Sequence, residues 1–247
     1  MPVRIPAAPI QALHADRILL KLSGEIFLDK NELSIKLVDS IAKQILKLQD
    51  KFYFAIVIGG GNFFRGSKDS QALNLSPAYG HYVGMLATVM NGLILSDCFQ
   101  KNNLDCKMLS ALPSPFICET LSQNEIENSI AQNKTIIFSG GNGTPYFSTD
   151  TTAVVRALQF GAKEVWKCTT TDGIYDKDPA LYKNAKFYSK ITYKEALDQR
   201  LKIMDFSAFS LAQEHSLKIR VFNIFEKNSL IKMADSMISD KFGTTVY

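Results

Sequence analysis

Apolar residues along the chain follow two alternating spacings. Five short, largely apolar runs predict buried strands: residues 17–23, 52–58, 105–110, 135–139 and 164–169. Between them, apolar side chains recur every three or four positions, which predicts helices at residues 34–49, 80–99, 122–130 and 148–158. This alternation predicts an α/β protein with a mainly parallel sheet that helices cover on both faces.

The last third of the chain continues the alternation in shorter elements. Further strands are predicted at residues 186–191, 217–224 and 244–247, and helices from residue 192, from Asp205 to residue 212, and at residues 230–238. Residues 1–16 contain three prolines and no repeat, which predicts a flexible N-terminal extension before a single domain at residues 17–247.

The composition argues against several classes of binding partner. The 28 basic and 24 acidic residues are mixed along the chain and leave a net charge of +4, without the basic block that binds nucleic acid. The four cysteines lack the paired spacings of zinc or redox sites, and no signal peptide is evident, so we expect a reduced cytoplasmic protein. We also expect no membrane span, because no apolar run approaches the required length of about 18 residues.

Glycines and polar residues follow four of the predicted strands. The segments are residues 21–24, 59–66, 140–150 and 167–178. Each alone fits an ordinary turn, a helix cap or a solvated lysine. However, the carboxyl ends of parallel strands lie at one edge of a sheet, where ligands bind. Glycine backbone, a helix N-terminus and the guanidinium of Arg65 suit phosphate, so the four segments together predict an anion site.

The sequence lacks the residues that several other kinds of reaction require. A histidine pair, a Gly-x-Ser-x-Gly turn and a cysteine beside a base are absent, which argues against acyl transfer and hydrolysis. The Walker pattern and the Gly-x-Gly-x-x-Gly pattern after the first strand are absent as well, so neither a P-loop enzyme nor a nicotinamide dehydrogenase is indicated.

Four motifs resemble the uridylate kinase branch of the amino acid kinase family. They are Lys-Leu-Ser-Gly-Glu at 21–25, Val-Ile-Gly-Gly-Gly-Asn-Phe-Phe-Arg-Gly at 57–66, Gly-Met-Leu-Ala-Thr-Val-Met-Asn-Gly at 84–92 and Asp-Gly-Ile-Tyr-Asp-Lys-Asp-Pro at 172–179. The resemblance implies a three-layer α/β/α sandwich and the reaction ATP + UMP → ADP + UDP in pyrimidine nucleotide biosynthesis. It also implies a homohexamer, GTP and UTP as possible effectors, and Mg²⁺ carried mainly by the ATP phosphates, with no protein ligand assigned. Two alternatives remain open: a related kinase that phosphorylates a carboxylate, and a nucleotide sensor without turnover.

The resemblance also assigns roles to single residues. The implied catalytic residues are Lys21, Arg65 and Asp150. The implied ATP site consists of Lys21, Leu22, Ser23, Gly24, Gly61, Arg65, Thr169, Tyr175 and Asp178, with Lys167 as a weaker candidate near the phosphates. The implied UMP site consists of Gly60, His81, Asn142, Gly143, Thr144, Pro145, Tyr146, Phe147, Ser148 and Thr149.

Two positions depart from the family pattern. His81 stands where relatives commonly carry an aspartate that holds the UMP ribose. Ser96 stands where relatives activated by GTP often carry an arginine. We therefore expect the ribose contact and the response to GTP to differ from the family pattern.

Overall fold

A nine-stranded sheet runs through the middle of the molecule. The computed structural model describes residues 15–201, 203–239 and 241–247. Its strands in chain order are β1 (Asp16–Leu22), β2 (Leu28–Asp29), β3 (Glu32–Leu33), β4 (Phe52–Ile58), β5 (Cys106–Ser110), β6 (Glu119–Thr120), β7 (Thr135–Ser139), β8 (Glu164–Thr169), β9 (Ile174–Tyr175), β10 (Phe187–Tyr188), β11 (Lys190–Ile191), β12 (Lys218–Asn223) and β13 (Thr244–Val246). The order in the sheet is β11-β13-β12-β8-β1-β4-β7-β5-β6. Among these described strands β12 and β13 pair antiparallel, and the other neighbours pair parallel. The short pairs β2-β3 and β9-β10 lie outside this sheet.

Helices cover both faces of the sheet. In chain order they are α1 (Lys36–Leu48), α2 (Gly66–Ala72), α3 (Pro77–Lys101), α4 (Gln123–Ala131), α5 (Thr149–Phe160), α6 (Tyr193–Asp198), α7 (Phe206–Glu214) and α8 (Ser229–Ser239). One core cluster joins α1, α3 and α8 to the sheet, and a second joins α4, α5, α6 and α7 to the other face. Neighbouring residues of β1 belong to opposite clusters, Leu20 to the first and Leu19 to the second, because side chains alternate along a strand. The three-layer α/β/α architecture is thereby confirmed.

The strands that the apolar runs predict are present, with small changes at their ends. Strands β4, β7 and β8 have the predicted bounds, whereas β1 starts at Asp16, the last residue of the expected extension. Residues 1–14 of that extension lie outside the described residues. The predicted strand at 186–191 is two strands, because β10 pairs with β9 and β11 joins the main sheet.

Helix α3 corrects one expectation. Its 25 residues include an 18-residue window with a mean hydropathy of 1.4, so the helix is long and apolar enough to cross a membrane by length and composition alone. Half of that window is buried in the protein. Core helices commonly pass the same test, and residues such as Val89, Leu95 and Phe99 of α3 pack in the first core cluster.

Candidate active site

The four polar segments meet at one edge of the sheet. Strands β8, β1, β4 and β7 are consecutive neighbours and run parallel, so their carboxyl ends point the same way. In the register, Lys21 of β1 lies beside Lys167 of β8, and Leu22 lies beside Ile58, the last residue of β4. The prediction of a shared edge is confirmed, since each polar segment begins where one of these four strands ends.

A carboxylate joins two lysines at the centre of this edge. Asp150, in the first turn of α5, lies 2.9 Å from the Nζ of Lys21 through Oδ1 and 2.7 Å from the Nζ of Lys167 through Oδ2. The three side chains are only 13–15% exposed. Lys167 also donates to the carbonyl oxygen of Ile203 at 2.5 Å. The cluster therefore holds two ammonium groups and one carboxylate in fixed positions.

The electrostatics of the cluster keep Asp150 ionised. Burial alone would raise the pKa of Asp150, but attraction to Lys21 and Lys167 outweighs it, and the pKa lies below its usual value. Burial lowers the pKa of Lys167, and Asp150 opposes that shift. Asp150 is thus a fixed negative charge that orients both lysines.

The glycine loop after β4 is anchored on α3. Asn91 of α3 donates to the carbonyl oxygen of Gly59 at 2.6 Å. A side chain at Gly60 would come within 2.9 Å of a carbonyl oxygen of α3, whereas a Cβ at Gly61 would have no neighbour within 4 Å. Gly60 therefore permits close packing, and Gly61 leaves open space for a ligand. The guanidinium of Arg65 bends back over this loop and donates through Nε to the carbonyl oxygen of Gly61 at 3.3 Å.

The glycine loop after β7 turns through left-handed backbone. Gly140 and Gly141 have φ values of +71° and +58°, which residues other than glycine rarely adopt. The N–H of Gly140 donates to Thr88 Oγ1 at 2.8 Å. Tyr146 farther along also has a positive φ, +72°. Its ring lies 4.9 Å from the ring of His81 on α3. The loop is thereby held against α3 at both ends.

The start of α5 differs from the prediction in one respect. Ser148 caps the helix, because its Oγ accepts from the N–H groups of Asp150 (3.0 Å) and Thr151 (3.1 Å). The same hydroxyl donates to the carboxylate of Asp205, which also accepts from Thr151 Oγ1 at 2.8 Å. Two of the amides that were expected to bind phosphate are therefore occupied. Among the described amides of this first turn, that of Thr149 has no such internal bond.

Three cavities lie along this edge. The central cavity, of about 320 Å³, is lined by Lys21, Ser23, Gly24, Glu25, Gly59, Gly60, Gly61, Arg65 and Thr149. The aromatic cavity, of about 410 Å³, shares Gly60, Gly61, Arg65 and Thr149 with it and adds the rings of Phe64, His81, Tyr146 and Phe147. The distal cavity, of about 590 Å³, is lined by Lys167, Thr169, Tyr175, Asp178 and their neighbours. The Lys21–Asp150–Lys167 cluster connects the central cavity to the distal one.

Comparison with known proteins places this arrangement in a family. A profile described as the amino acid kinase family matches residues 16–223. The chain belongs to the amino acid kinase family. It is 40% identical over 233 residues to the uridylate kinase of Haemophilus influenzae (strain 86-028NP), covering 93% of this chain and 97% of that protein. It is also 40% identical over 217 residues to the uridylate kinase of Actinobacillus pleuropneumoniae serotype 5b, covering 87% and 91%. The crystal structure of the UMP kinase from Ureaplasma parvum superposes with a TM-score of 0.89 at 32% identity, covering 94% of this chain and 98% of that one.

In this amino acid kinase, some of the predicted site residues line none of the three cavities. Leu22 lines none of the three cavities: its side chain is fully buried in the core, and its carbonyl oxygen accepts from the N–H of Gly59. Four loop residues are absent from the wall of the aromatic cavity: Asn142, Gly143, Thr144 and Pro145. Ser148 lines that cavity, but its hydroxyl is used for capping. The remaining predicted residues line one of the three cavities, except Asp150, which lies between Lys21 of the central cavity and Lys167 of the distal one.

Sequence reasoning missed two supporting residues. Asp205 was predicted only as the cap of α7, which it is, but it also holds Ser148 and Thr151 of α5. Asn91 was taken only as part of a motif, yet it fixes the first glycine loop. A polar residue inside an apolar helical stretch was the available signal for Asn91. No local signal marks the second role of Asp205, because its partners are more than 50 residues away in sequence.

Proposed function

We propose that this chain transfers the γ-phosphoryl group of ATP to UMP, giving ADP and UDP. The observation that carries the proposal is the position of the Lys21–Asp150–Lys167 cluster and Arg65 between two cavities of nucleoside size. ATP would place its nucleoside in the distal cavity and UMP its nucleoside in the aromatic cavity, so that their phosphates meet in the central cavity. Uridylate kinases of 40% identity support the same assignment.

The geometry suits phosphoryl transfer without a general base. The second pKa of a phosphate monoester is about 6, so an oxygen of the UMP phosphate is already ionised at neutral pH. That oxygen attacks the γ-phosphorus, the bond to the β,γ-bridging oxygen breaks, and ADP leaves with the electron pair. The obstacle is repulsion between two anions. Lys21 and Arg65 line the central cavity and supply positive charge, and Gly61 and Thr149 line the same cavity.

Magnesium enters this proposal as part of the substrate. The described residues contain no group of three or more His, Cys, Asp or Glu side chains that could hold a metal ion. Both carboxylate oxygens of Asp150 already face ammonium groups. We therefore propose that Mg²⁺ arrives with ATP, bound mainly by phosphate oxygens, and that activity requires it.

A coupled assay of ADP release tests the function. The purified chain is given Mg²⁺ and ATP with UMP, CMP, dUMP, glutamate or aspartate as acceptor. We expect ADP and UDP in equal amounts with UMP and no reaction with the amino acids. Turnover with an amino acid alone would instead indicate a carboxylate kinase. Binding of UMP and ATP without formation of UDP would indicate a nucleotide sensor.

We also propose that the chain forms a homohexamer, as the resemblance implies, and that its subunits associate through α3. Large apolar side chains remain exposed along one face of this helix at spacings of three and four residues: Tyr79, Tyr82, Leu86, Met90 and Leu93. We call these five residues the α3 stripe. An exposed apolar face of this length is typical of an interface. A cytoplasmic location and regulation by GTP or UTP likewise remain proposals, which cell fractionation and the same assay with added effectors would test.

A further inference from the structure

Arg156 is a buried cation that the proposed reaction does not use. It lies on α5, and only 4% of it is exposed. Its guanidinium donates to Gln159 Oε1 at 2.6 Å and to the carbonyl oxygen of Gly141 at 3.2 Å. Neither acceptor carries a charge, and the Nε–H has no partner among the described residues.

A second buried arginine shows what a structural role looks like in this fold. Arg220, 5% exposed, donates to both carboxylate oxygens of Glu164, at 2.7 and 3.2 Å. Such a bidentate pair offsets the cost of removing the charge from water. Burial lowers the pKa of Arg156 to about 10, so the group is still charged at neutral pH, and its guanidinium pairs with no carboxylate among the described residues. A buried, unpaired cation is costly, which calls for a reason other than packing.

The contacts of Arg156 place that charge behind the aromatic cavity. Its carbonyl acceptor, Gly141, belongs to the left-handed turn after β7 and lines the cavity. Thr152, one helical turn before Arg156, lines the same cavity. The guanidinium thus ties α5 to the glycine turn at the point where both form the wall.

We propose that Arg156 is a positioning residue for the acceptor nucleotide. Its bond to Gly141 holds the turn in the shape that lines the aromatic cavity, where the nucleoside of UMP would bind. Its uncompensated charge also favours the UMP phosphate in the adjoining central cavity, which shares Gly60, Gly61, Arg65 and Thr149 with the aromatic one. The inference rests on the proposed function, because it requires UMP to bind in the aromatic cavity.

Steady-state kinetics with varied UMP or varied ATP test this role. We expect Arg156→Gln to raise the KM for UMP at least tenfold, to change the KM for ATP less than twofold and to leave kcat within threefold. Arg156→Lys keeps the charge but loses the planar fork, so its KM for UMP should lie in between. The matched control is Arg17→Gln, which removes a 3.0 Å bond to the carbonyl oxygen of Phe160 at the opposite end of α5. This control should leave the KM for UMP unchanged.

The outcomes separate this inference from the proposed function. A wild-type chain that does not phosphorylate UMP would refute the function itself. An active wild type with an Arg156→Gln variant of unchanged KM for UMP, or with both KM values raised alike, would overturn the role of Arg156. If Arg156→Gln does not fold, Arg156→Lys decides: a KM for UMP raised threefold or more supports the role, and an unchanged value overturns it.

Discussion

Replacing Lys21 by alanine should slow phosphoryl transfer far more than it weakens UMP binding. The ammonium lines the central cavity, is 13% exposed and is held 2.9 Å from Asp150. Two unit charges about 4 Å apart attract by about 4 kcal/mol at an effective dielectric constant of 20. Only the part of this attraction that grows toward the transition state lowers the barrier. If about 3 kcal/mol of the attraction develops only in the transition state, its loss should lower kcat roughly 150-fold, since each 1.36 kcal/mol added to the barrier slows the reaction tenfold.

The assay for Lys21→Ala combines kcat with a direct measurement of UMP affinity by calorimetry. The fold should persist, because Asp150 keeps Lys167 as a partner at 2.7 Å. The matched control is Lys36→Ala, whose ammonium pairs with Asp29 at 3.0 Å on the exposed surface. This control should have wild-type kcat. A Lys21→Ala variant with kcat within tenfold of wild type, or with kcat and UMP affinity reduced by the same factor, would refute the reasoning.

Three further predictions concern Asp150, the glycine loop after β4 and the α3 stripe. Asp150→Asn leaves two buried ammonium groups without their carboxylate, so it should lower the free energy of unfolding by about 3 kcal/mol at pH 7. Because the folded pKa of Asp150 is depressed, this difference should shrink as the pH falls below about 4 in denaturant titrations. Gly60→Ala should lower the melting temperature, since the methyl group meets α3, whereas Gly61→Ala should keep the melting temperature and raise the KM for ATP. Met90→Asp in the α3 stripe should reduce the molar mass seen by light scattering, and an unchanged mass would exclude the stripe as an interface.

The sequence predicted the parts of the fold that depend on local periodicity. Strands such as β4 and β7 are apolar runs bounded by turn residues, and their ends lie where expected. Helix α2 was missed because Gly66–Ala72 is polar and has no apolar repeat. The shared edge of the sheet could be predicted because parallel connectivity fixes which strand ends lie together.

The contacts inside the site were harder to predict. Asp150 is 129 residues from Lys21 in sequence, and the choice of its partners depends on how α5 packs against β1 and β8. The spacing of residues in the sequence predicts neither the hydrogen bond from Arg156 to Gly141 nor the one from Ser148 to Asp205. Residue type and motif therefore located the cleft, whereas the arrangement of charges within it needed three-dimensional packing.

The position of Asp150 decides what kind of catalyst this site is. A general base needs a free oxygen and a pKa near the working pH. Asp150 has neither, because Lys21 and Lys167 face its two oxygens and hold its pKa below the usual carboxyl value. The acceptor phosphate also needs no base, since it is already ionised at neutral pH. In the proposed reaction Asp150 would fix Lys21 where negative charge accumulates, so we expect the rate to show no titration of this carboxylate between pH 6 and 9.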